Sequence, residues 1–171
     1  MFSSVYESRI YSGFEPTQVF DVVYGGHFEH RLISSNHAEL VHERLILDDV
    51  RVECGHYNFP VIGQGVMPSD SVCIGLVEEG AELTRCNLQP IEEDEVRVYS
   101  PGAELTYHAA GSSRWINIAL PHAKLQEVAQ ARLGHPLHLN WRGFVAYRLL
   151  RSKRMDLQQL VHDAFALAKE L

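Results

Sequence analysis

The sequence predicts an antiparallel β-barrel of two rolled sheets followed by a helical C-terminal section, and three observations support this fold class. Between residues 19 and 120 the apolar residues come in short runs, separated by turn-forming residues about 8 to 12 positions apart. Neither helical periodicity nor the strand–helix alternation of a parallel α/β fold occurs in this stretch. After Pro121 the apolar residues recur at intervals of three and four, which is typical of helices.

Five apolar runs in the first section are the clearest predicted strands. They comprise residues 40–47, 50–54, 71–77, 95–99 and 115–120. In two of them the charged residues Arg51, Glu53, Glu95 and Arg97 alternate with apolar residues. We therefore expect one face of each of these strands to meet a core and the charged face to meet water. Two such sheets rolled together form a jelly roll, whose interior is a natural pocket for a small molecule.

The section after residue 120 predicts three helices. Pro121 suits the first position of a helix, and Gly134 with the following proline ends that helix. Asn140 can cap a second helix over residues 141–153, and a third begins at residue 156.

The third helix carries a continuous apolar stripe that must be covered by something. We expect its residues either to pack on the outside of the barrel or to pair with a second copy of the chain across a two-fold axis. The candidate dimerisation residues are Leu157, Leu160, Val161, Ala164, Leu167 and Leu171.

Charge is distributed unevenly around a net value of −7. Residues 1–120 contain 7 Arg, no Lys and 18 acidic residues, a net charge of −11, whereas residues 121–171 contain 8 basic and 4 acidic residues, a net charge of +4. An acidic surface does not bind a phosphate backbone, so the first section is not expected to contact nucleic acid directly. The sign change marks two sections of one folding unit, a sensor barrel over 1–120 and a helical dimerisation and linker section over 121–171.

Length and composition place the chain among ordinary globular proteins. A chain of 171 residues with 46% hydrophobic and 22% charged residues is long enough for one self-standing core. The sequence contains no apolar run of membrane-spanning length and no signal peptide at its start, so we expect a cytoplasmic protein. Its three cysteines, Cys54, Cys73 and Cys86, are widely spaced and are expected to be reduced thiols.

Motifs for catalysis, metals and cofactors are missing from the sequence. It contains no GxSxG nucleophile elbow and no glycine-rich phosphate loop. Metal-binding barrels need a His-x-His pair with further ligands, but His27 and His30 are three positions apart and fall on opposite faces of a strand. We therefore predict no catalytic residue, no metal and no cofactor.

Aromatic and polar residues near the predicted strands are the candidates for lining a cavity. A mostly apolar pocket with a few placed polar groups is what a sensor of small molecules needs. For each of these residues ordinary core packing is the alternative. The candidate ligand-binding residues are Tyr57, Phe59, Met67, Tyr99, Tyr107, His108 and Trp115.

Several segments follow one another in an order that extends over nearly the whole chain. They are residues 19–32, residues 43–47 with Val50, Val52 and Gly55, residues 67–71, residues 98–105 with their Pro-Gly-Ala-Glu turn, and residues 115–121 before a helix. This order resembles the N-terminal cupin-like sensor domain of AraC-type transcription regulators.

The resemblance implies a metal-free barrel that binds a small-molecule effector and forms a homodimer. In such regulators a C-terminal pair of helix-turn-helix motifs contacts DNA, and these 171 residues contain no such pair. The resemblance therefore implies a sensor domain alone, with DNA contacted through a further domain. It does not specify the effector or the target genes.

Two other functions stay open at the level of sequence. One is a small metal-dependent cupin enzyme, an oxygenase or isomerase, in which the fold gathers His27, His56 and His108. The other is a binding module for carbohydrate or protein that has no signalling role.

Overall fold

The computed structural model describes residues 4–12, 17–33, 37–139 and 143–170, with the backbone alone for residues 17–19. These residues form thirteen strands, a short 3₁₀ helix at Ala81–Leu83 and two α-helices. The strands are β1 (Ser4–Ser12), β2 (Thr17–Phe20), β3 (His27–Leu32), β4 (Glu39–Leu47), β5 (Val50–Tyr57), β6 (Val61–Val66), β7 (Ser71–Glu79), β8 (Thr84–Cys86), β9 (Gln89–Pro90), β10 (Glu95–Tyr99), β11 (Glu104–Ala109), β12 (Ser113–Pro121) and β13 (Phe144–Arg148), and the helices are α1 (His122–Leu133) and α2 (Arg151–Glu170).

Two antiparallel sheets enclose the core. The seven-stranded sheet has the order β1-β4-β5-β12-β7-β10-β13, and the six-stranded sheet has the order β2-β3-β6-β11-β8-β9. Strands that are distant in the sequence are neighbours in both sheets, as in a rolled double sheet. The predicted fold class, mainly antiparallel β with a helical C-terminal section, is confirmed.

Most of the predicted elements form where the sequence placed them. All five predicted strands lie within β4, β5, β7, β10 and β12. Helix α1 starts directly after Pro121 and ends at Gly134, which adopts a left-handed conformation (φ +75°) and donates its N–H to the carbonyl of Gln130 at 3.1 Å. Helix α2 starts at Arg151, five residues before the predicted start of the third helix.

The predicted second helix over residues 141–153 is wrong. Residues 144–148 instead form β13, which pairs antiparallel with β10 at the edge of the seven-stranded sheet. Phe144 packs against Tyr99, with ring centroids 5.6 Å apart, and the guanidinium of Arg97 lies 4.6 Å from the centre of the Phe144 ring. These tertiary contacts outweigh a weak helical pattern that contains Gly143. The proposed cap, Asn140, lies outside the described residues.

The central strands of the seven-stranded sheet are buried on both faces. Their inner face packs on the main core between the two sheets. Their outer face forms a second apolar cluster with helix α2, in which Val161 and Phe165 are buried and Leu157 and Ala164 are half-buried. Part of the α2 stripe therefore packs on the protein's own barrel.

Because α2 covers the outer face, the expected orientation of two alternating strands is reversed. Arg51, Glu53, Glu95 and Arg97 were predicted to face water, but all four are buried on the inner face of the barrel. Their apolar neighbours on the same strands, such as Val52 and Val96, point outward into the α2 cluster. Alternation identifies two faces of a strand and does not say which face the helix will cover.

The inward charges are neutralised by partners. Arg44 donates from Nε to Oε1 of Glu53 at 2.7 Å and from Nη1 to Oδ2 of Asp21 at 2.9 Å. Burial alone would lower the pKa of Arg44, but its bonds to Asp21 and Glu53 raise that pKa. Arg51 contacts Asp70 and Ser71. A buried charge without such partners would destabilise the fold strongly.

The three cysteines are free thiols and all are buried. Burial raises the pKa of Cys73 to about 12 and that of Cys86 to about 11, so both are protonated near neutral pH. Within the residues that the structure describes, neither helix is long and apolar enough to cross a bilayer.

Candidate functional site: the interior of the barrel

A cavity of about 80 Å³ lies between the two sheets and opens to solvent. Its wall is mainly apolar and aromatic, with a small number of polar side chains. The lining residues are Val22, Val23, Phe28, His30, Tyr57, Gly63, Met67, Gly75, Leu76, Val77, Cys86, Ile91, Glu95, Arg97, Tyr99, Leu105, Tyr107, Trp115, Ile116 and Asn117.

In the six-stranded sheet, one row of neighbouring residues crosses the cavity wall. His30 on β3 is opposite Gly63 on β6, Gly63 is opposite Tyr107 on β11, and Tyr107 is opposite Cys86 on β8. All four residues line the cavity. The row therefore has a glycine between an imidazole and a phenol, and the missing side chain leaves space there.

The seven-stranded sheet contributes a corresponding row. Glu53 on β5 is opposite Asn117 on β12, Asn117 is opposite Gly75 on β7, and Gly75 is opposite Arg97 on β10. Asn117, Gly75 and Arg97 line the cavity, whereas Glu53 is fully buried beside it. Each sheet thus has a glycine within a row of polar or aromatic residues.

Two glycines of the seven-stranded sheet allow aromatic rings to lie against its backbone. A Cβ atom at Gly55 would overlap the indole of Trp115. A Cβ atom at Gly75 would lie 3.2 Å from Cε2 of Tyr99, closer than most side-chain contacts. These glycines fix where the two rings lie on the cavity wall.

The polar side chains of the six-stranded wall are uncharged. Nε2 of His30 lies 2.8 Å from the hydroxyl of Tyr57, and Tyr107 donates its hydroxyl proton to Oγ of Ser113 at 2.8 Å. Burial lowers the pKa of His30 to about 4. Burial also raises the pKa values of Tyr57 and Tyr107 above the usual phenol value. The imidazole and both phenols are therefore neutral at physiological pH.

Arg97 is the cation of the cavity wall, and it is held by three acceptors. Its Nε donates to Glu95, its Nη1 to the carbonyl of Cys86 at 3.0 Å, and its Nη2 to the carbonyl of Pro90 at 2.9 Å. The carboxylate of Glu95 neutralises the guanidinium inside the barrel. This arrangement ties β10 to the β8–β9 hairpin and positions the side of the cavity formed by Ile91.

The structure brings together five of the seven predicted ligand-binding residues. Tyr57, Met67, Tyr99, Tyr107 and Trp115 all line the cavity. Phe59 is buried in the main core and packs edge-on against Tyr57, with ring centroids 5.6 Å apart, but it does not reach the cavity. His108 follows Tyr107 on β11, so its side chain lies on the opposite face of the sheet. Ligand binding by the five lining residues stays a prediction.

Sequence reasoning missed the polar part of the wall. The alternating pattern predicts that Glu95 and Arg97 face water, and no sequence motif marks His30 or Asn117 as part of a cavity. The strand-internal glycines Gly63 and Gly75 carried an available signal, because a glycine inside a strand often marks a close approach of backbone or ligand. Which residues lie beside them depends on strand order, which the sequence does not show.

The histidines proposed for a metal-dependent enzyme are not gathered in the cavity. His27 and His108 belong to the outer face of the six-stranded sheet, and His56 lies on the outer face of β5, where it contacts Ser112 at 3.2 Å. Among the residues that the structure describes, no group of three or more His, Cys, Asp or Glu side chains is arranged to hold a metal ion.

Comparison with known proteins gives one weak structural likeness. No family model and no curated protein matches the chain. Among solved structures, it is similar to the AraC-like transcriptional activator CuxR, with 15% identity and a TM-score of 0.45. The match covers 60% of this chain and 41% of the CuxR chain, so it spans less than half of that protein. A likeness at this level carries no argument about function, which therefore has to come from the residues of the barrel and of α2.

His30 should make the stability of the barrel depend on pH. Its pKa is about 4 in the folded chain and about 6.5 in the unfolded chain. Between these values the unfolded chain binds a proton that the folded chain does not, so the free energy of unfolding falls as pH falls. Between pH 7 and pH 4.5 this histidine should account for a loss of about 2 kcal/mol.

Urea unfolding at the two pH values of wild type, His30→Gln and His27→Gln measures this contribution. The amide introduced by His30→Gln can still bond to Tyr57 but does not titrate, so H30Q should lose about 2 kcal/mol less than wild type on acidification. H27Q changes an exposed residue of the same strand and should follow the wild type. An H30Q profile that coincides with the wild-type profile would contradict the burial of a neutral imidazole.

Proposed function

We propose that the chain is the effector-sensing and dimerisation part of an AraC-type transcription regulator. A small molecule binds inside the barrel, α2 pairs with α2 of a second copy, and a part of the regulator outside these 171 residues contacts DNA. The observation that carries this proposal is the two-faced seven-stranded sheet, whose inner face lines the cavity and whose outer face holds α2.

Strand β7 supports a connection between cavity and helix. The Val77 side chain lines the cavity, and its backbone carbonyl accepts a hydrogen bond from Nη2 of Arg154 on α2 at 2.5 Å. The next residue, Glu78, contacts Nε2 of His162 on α2 at 2.9 Å. If β7 can lie in two positions and a ligand binds more tightly to one of them, the ligand shifts β7 to that position. The bonds from β7 to α2 then shift the helix with it.

The outward side of α2 supports pairing with a second copy. Leu160 and Leu167 are 66% and 62% exposed, although they belong to an apolar stripe. From Leu157 to Leu171 the stripe alternates steps of three and four residues, which is the heptad spacing of a coiled coil. Val161 is buried on its own barrel and so does not belong to the exposed stripe. Leu171 lies outside the described residues.

The charge distribution agrees with DNA contact by a separate part of the regulator. The section that forms most of the barrel has a net charge of −11. Binding to DNA draws its affinity from lysine and arginine side chains placed against phosphates, and an acidic barrel repels them. In this proposal the barrel does not contact DNA, and the pairing of α2 sets how two copies of the chain are oriented.

The pairing of α2 predicts a concentration-dependent dimer. A buried leucine contributes about 1.5–3 kcal/mol. Replacing both Leu160 and Leu167 with Asp should therefore raise the dimer Kd by about 100-fold or more. Light scattering with size-exclusion chromatography at micromolar concentrations measures the change.

Leu88→Asp is the matched control, because Leu88 is 82% exposed and lies in the turn between β8 and β9. This variant should dimerise like the wild type. A wild-type chain that stays monomeric at these concentrations, or a dimer unaffected by the double substitution, would show that α2 does not form a dimer interface.

If the cavity binds an effector, some small molecules should raise the Tm of the protein, and this effect should require the space beside Gly63. A Cβ at this position would lie 3.5 Å from Nε2 of His30, an ordinary contact. Because Gly63 lines the cavity, we expect the rest of a leucine side chain to enter it. In a thermal-shift screen of a metabolite library, a compound that binds the cavity should raise the Tm of wild type and not that of Gly63→Leu. Compounds that stabilise both proteins equally bind elsewhere, and if every stabilising compound behaves in this way the effector role is wrong.

A further inference from the structure

Asn117 is a buried amide on the cavity wall that lacks a nitrogen or oxygen partner among the described residues. It lies between Glu53 and Gly75 in the row that crosses the seven-stranded sheet, and its side chain is 4% exposed. Among the described residues, neither its amide nitrogen nor its amide oxygen has a nitrogen or oxygen hydrogen-bond partner. A side-chain hydrogen bond between Asn117 and Cys73 offsets part of the rise that burial gives the pKa of the Cys73 thiol, but sulfur is only a weak hydrogen-bonding partner.

The other polar side chains of the same wall each have a partner within the protein through at least one atom, although Nδ1 of His30 is also without a hydrogen-bond partner among the described residues. Arg97 has three acceptors, the imidazole of His30 contacts Tyr57, and the hydroxyl of Tyr107 donates to Ser113. A buried polar group without partners destabilises a fold, so native structures rarely keep one without a reason. An amide on a cavity wall has a clear reason if a ligand supplies the missing bonds.

The charges around the cavity favour an uncharged ligand. The carboxylate of Glu95 offsets Arg97, and Arg44 offsets the buried Glu53 next to Asn117. His30 and the tyrosines of the wall are neutral. An ionised ligand would therefore enter an interior that offers no spare opposite charge, and it would lose its hydration without compensation.

The rings around the cavity favour a flat ligand. Trp115 lies against the backbone at Gly55, and Tyr99 lies against it at Gly75. Tyr57 and Tyr107 line the same cavity. Aromatic rings pack well with one another in stacked or edge-on arrangements, which adds to the free energy of burying their apolar surface.

We propose that Asn117 is the polar anchor of the cavity, and that the ligand is an uncharged aromatic molecule with an adjacent donor and acceptor, such as a primary amide. The ligand's carbonyl accepts from the Asn117 NH₂ group while its own N–H donates to the Asn117 oxygen. This inference rests on the proposed function, because it specifies the class of effector that the same cavity takes.

Three small probes of the same ring size test the anchor: benzamide, methyl benzoate and benzoate. Benzamide offers a donor and an acceptor, the ester offers acceptors only, and benzoate is charged. NMR titration of the protein gives a Kd for each. Wild type should bind benzamide at least tenfold more tightly than either other probe, and Asn117→Leu should bind benzamide and methyl benzoate with equal affinity.

Thermal stability tests the same claim without a ligand. Leucine has the same branched arrangement of side-chain heavy atoms as asparagine and needs no hydrogen bonds, and the cavity can take its greater bulk, so N117L should raise the Tm by about 2–4 °C. Asn58→Leu is the matched control, because the Asn58 side chain accepts from the Glu39 N–H at 2.8 Å and donates to the His37 carbonyl at 3.2 Å. N58L should lower the Tm.

The outcomes separate this inference from the proposed function. If N117L lowers the Tm as N58L does, the Asn117 amide has a structural partner, and the proposal that it anchors a ligand is wrong. The anchor is also wrong, while the cavity keeps its function, if the probes bind wild type and N117L alike but do not bind Gly63→Leu. Equal binding of all probes to wild type and Gly63→Leu places them outside the cavity and counts against both proposals. Failure of benzamide to bind wild type rejects the amide class, and the library screen then decides the effector role separately.

Discussion

The absence of a side chain at one position in each sheet is the constraint on which the interior depends. Two packed sheets lie about 10 Å apart, and inward side chains from both sheets normally fill the space between them. Here Gly63 and Gly75 interrupt the rows that cross the two walls, and both glycines line the cavity. The ring of Tyr99 lies over Gly75 and the imidazole of His30 lies near Gly63, so the glycines set how closely these rings approach the backbone, and the cavity lies beside them.

The charged groups inside the barrel hold that wall in place. The bonds of Arg44 to Asp21 and Glu53 connect β4 and β5 to the segment after β2, and the bonds of Arg97 connect β10 to the β8–β9 hairpin. Arg44, Glu53 and Arg97 are buried with partners, so moving one strand would leave a buried charge unpaired. The interior therefore combines fixed, neutralised charges with an amide on the described cavity wall, Asn117, whose recorded partner is a thiol, which is only a weak hydrogen-bonding group. This combination suits selective binding of an uncharged molecule.

The sequence was sufficient for five of the thirteen strands that the structure describes and for most of the aromatic wall, and the reasons are local. Turn residues and short apolar runs located β4, β5, β7, β10 and β12, and a cap at Gly134 located the end of α1. The polar wall could not be predicted in the same way, because Asn117 acquires its neighbours Glu53 and Gly75 only through strand order. Covering the outer face with α2 also reversed the expected orientation of Glu95 and Arg97, since periodicity is the same whichever face is covered. The error at residues 144–148 has a similar cause, because pairing with β10 is a tertiary interaction.

The free energy of unfolding of Gly63→Leu, measured by urea denaturation, tests the hollow interior most directly. A leucine that enters empty space gains buried apolar area without displacing its neighbours, and filling a cavity commonly stabilises a protein by about 0.5–2 kcal/mol. The variant should therefore be at least as stable as the wild type. A loss of about 1–3 kcal/mol, the usual cost of overpacking, would show that side chains already fill the space beside Gly63 and would contradict the account.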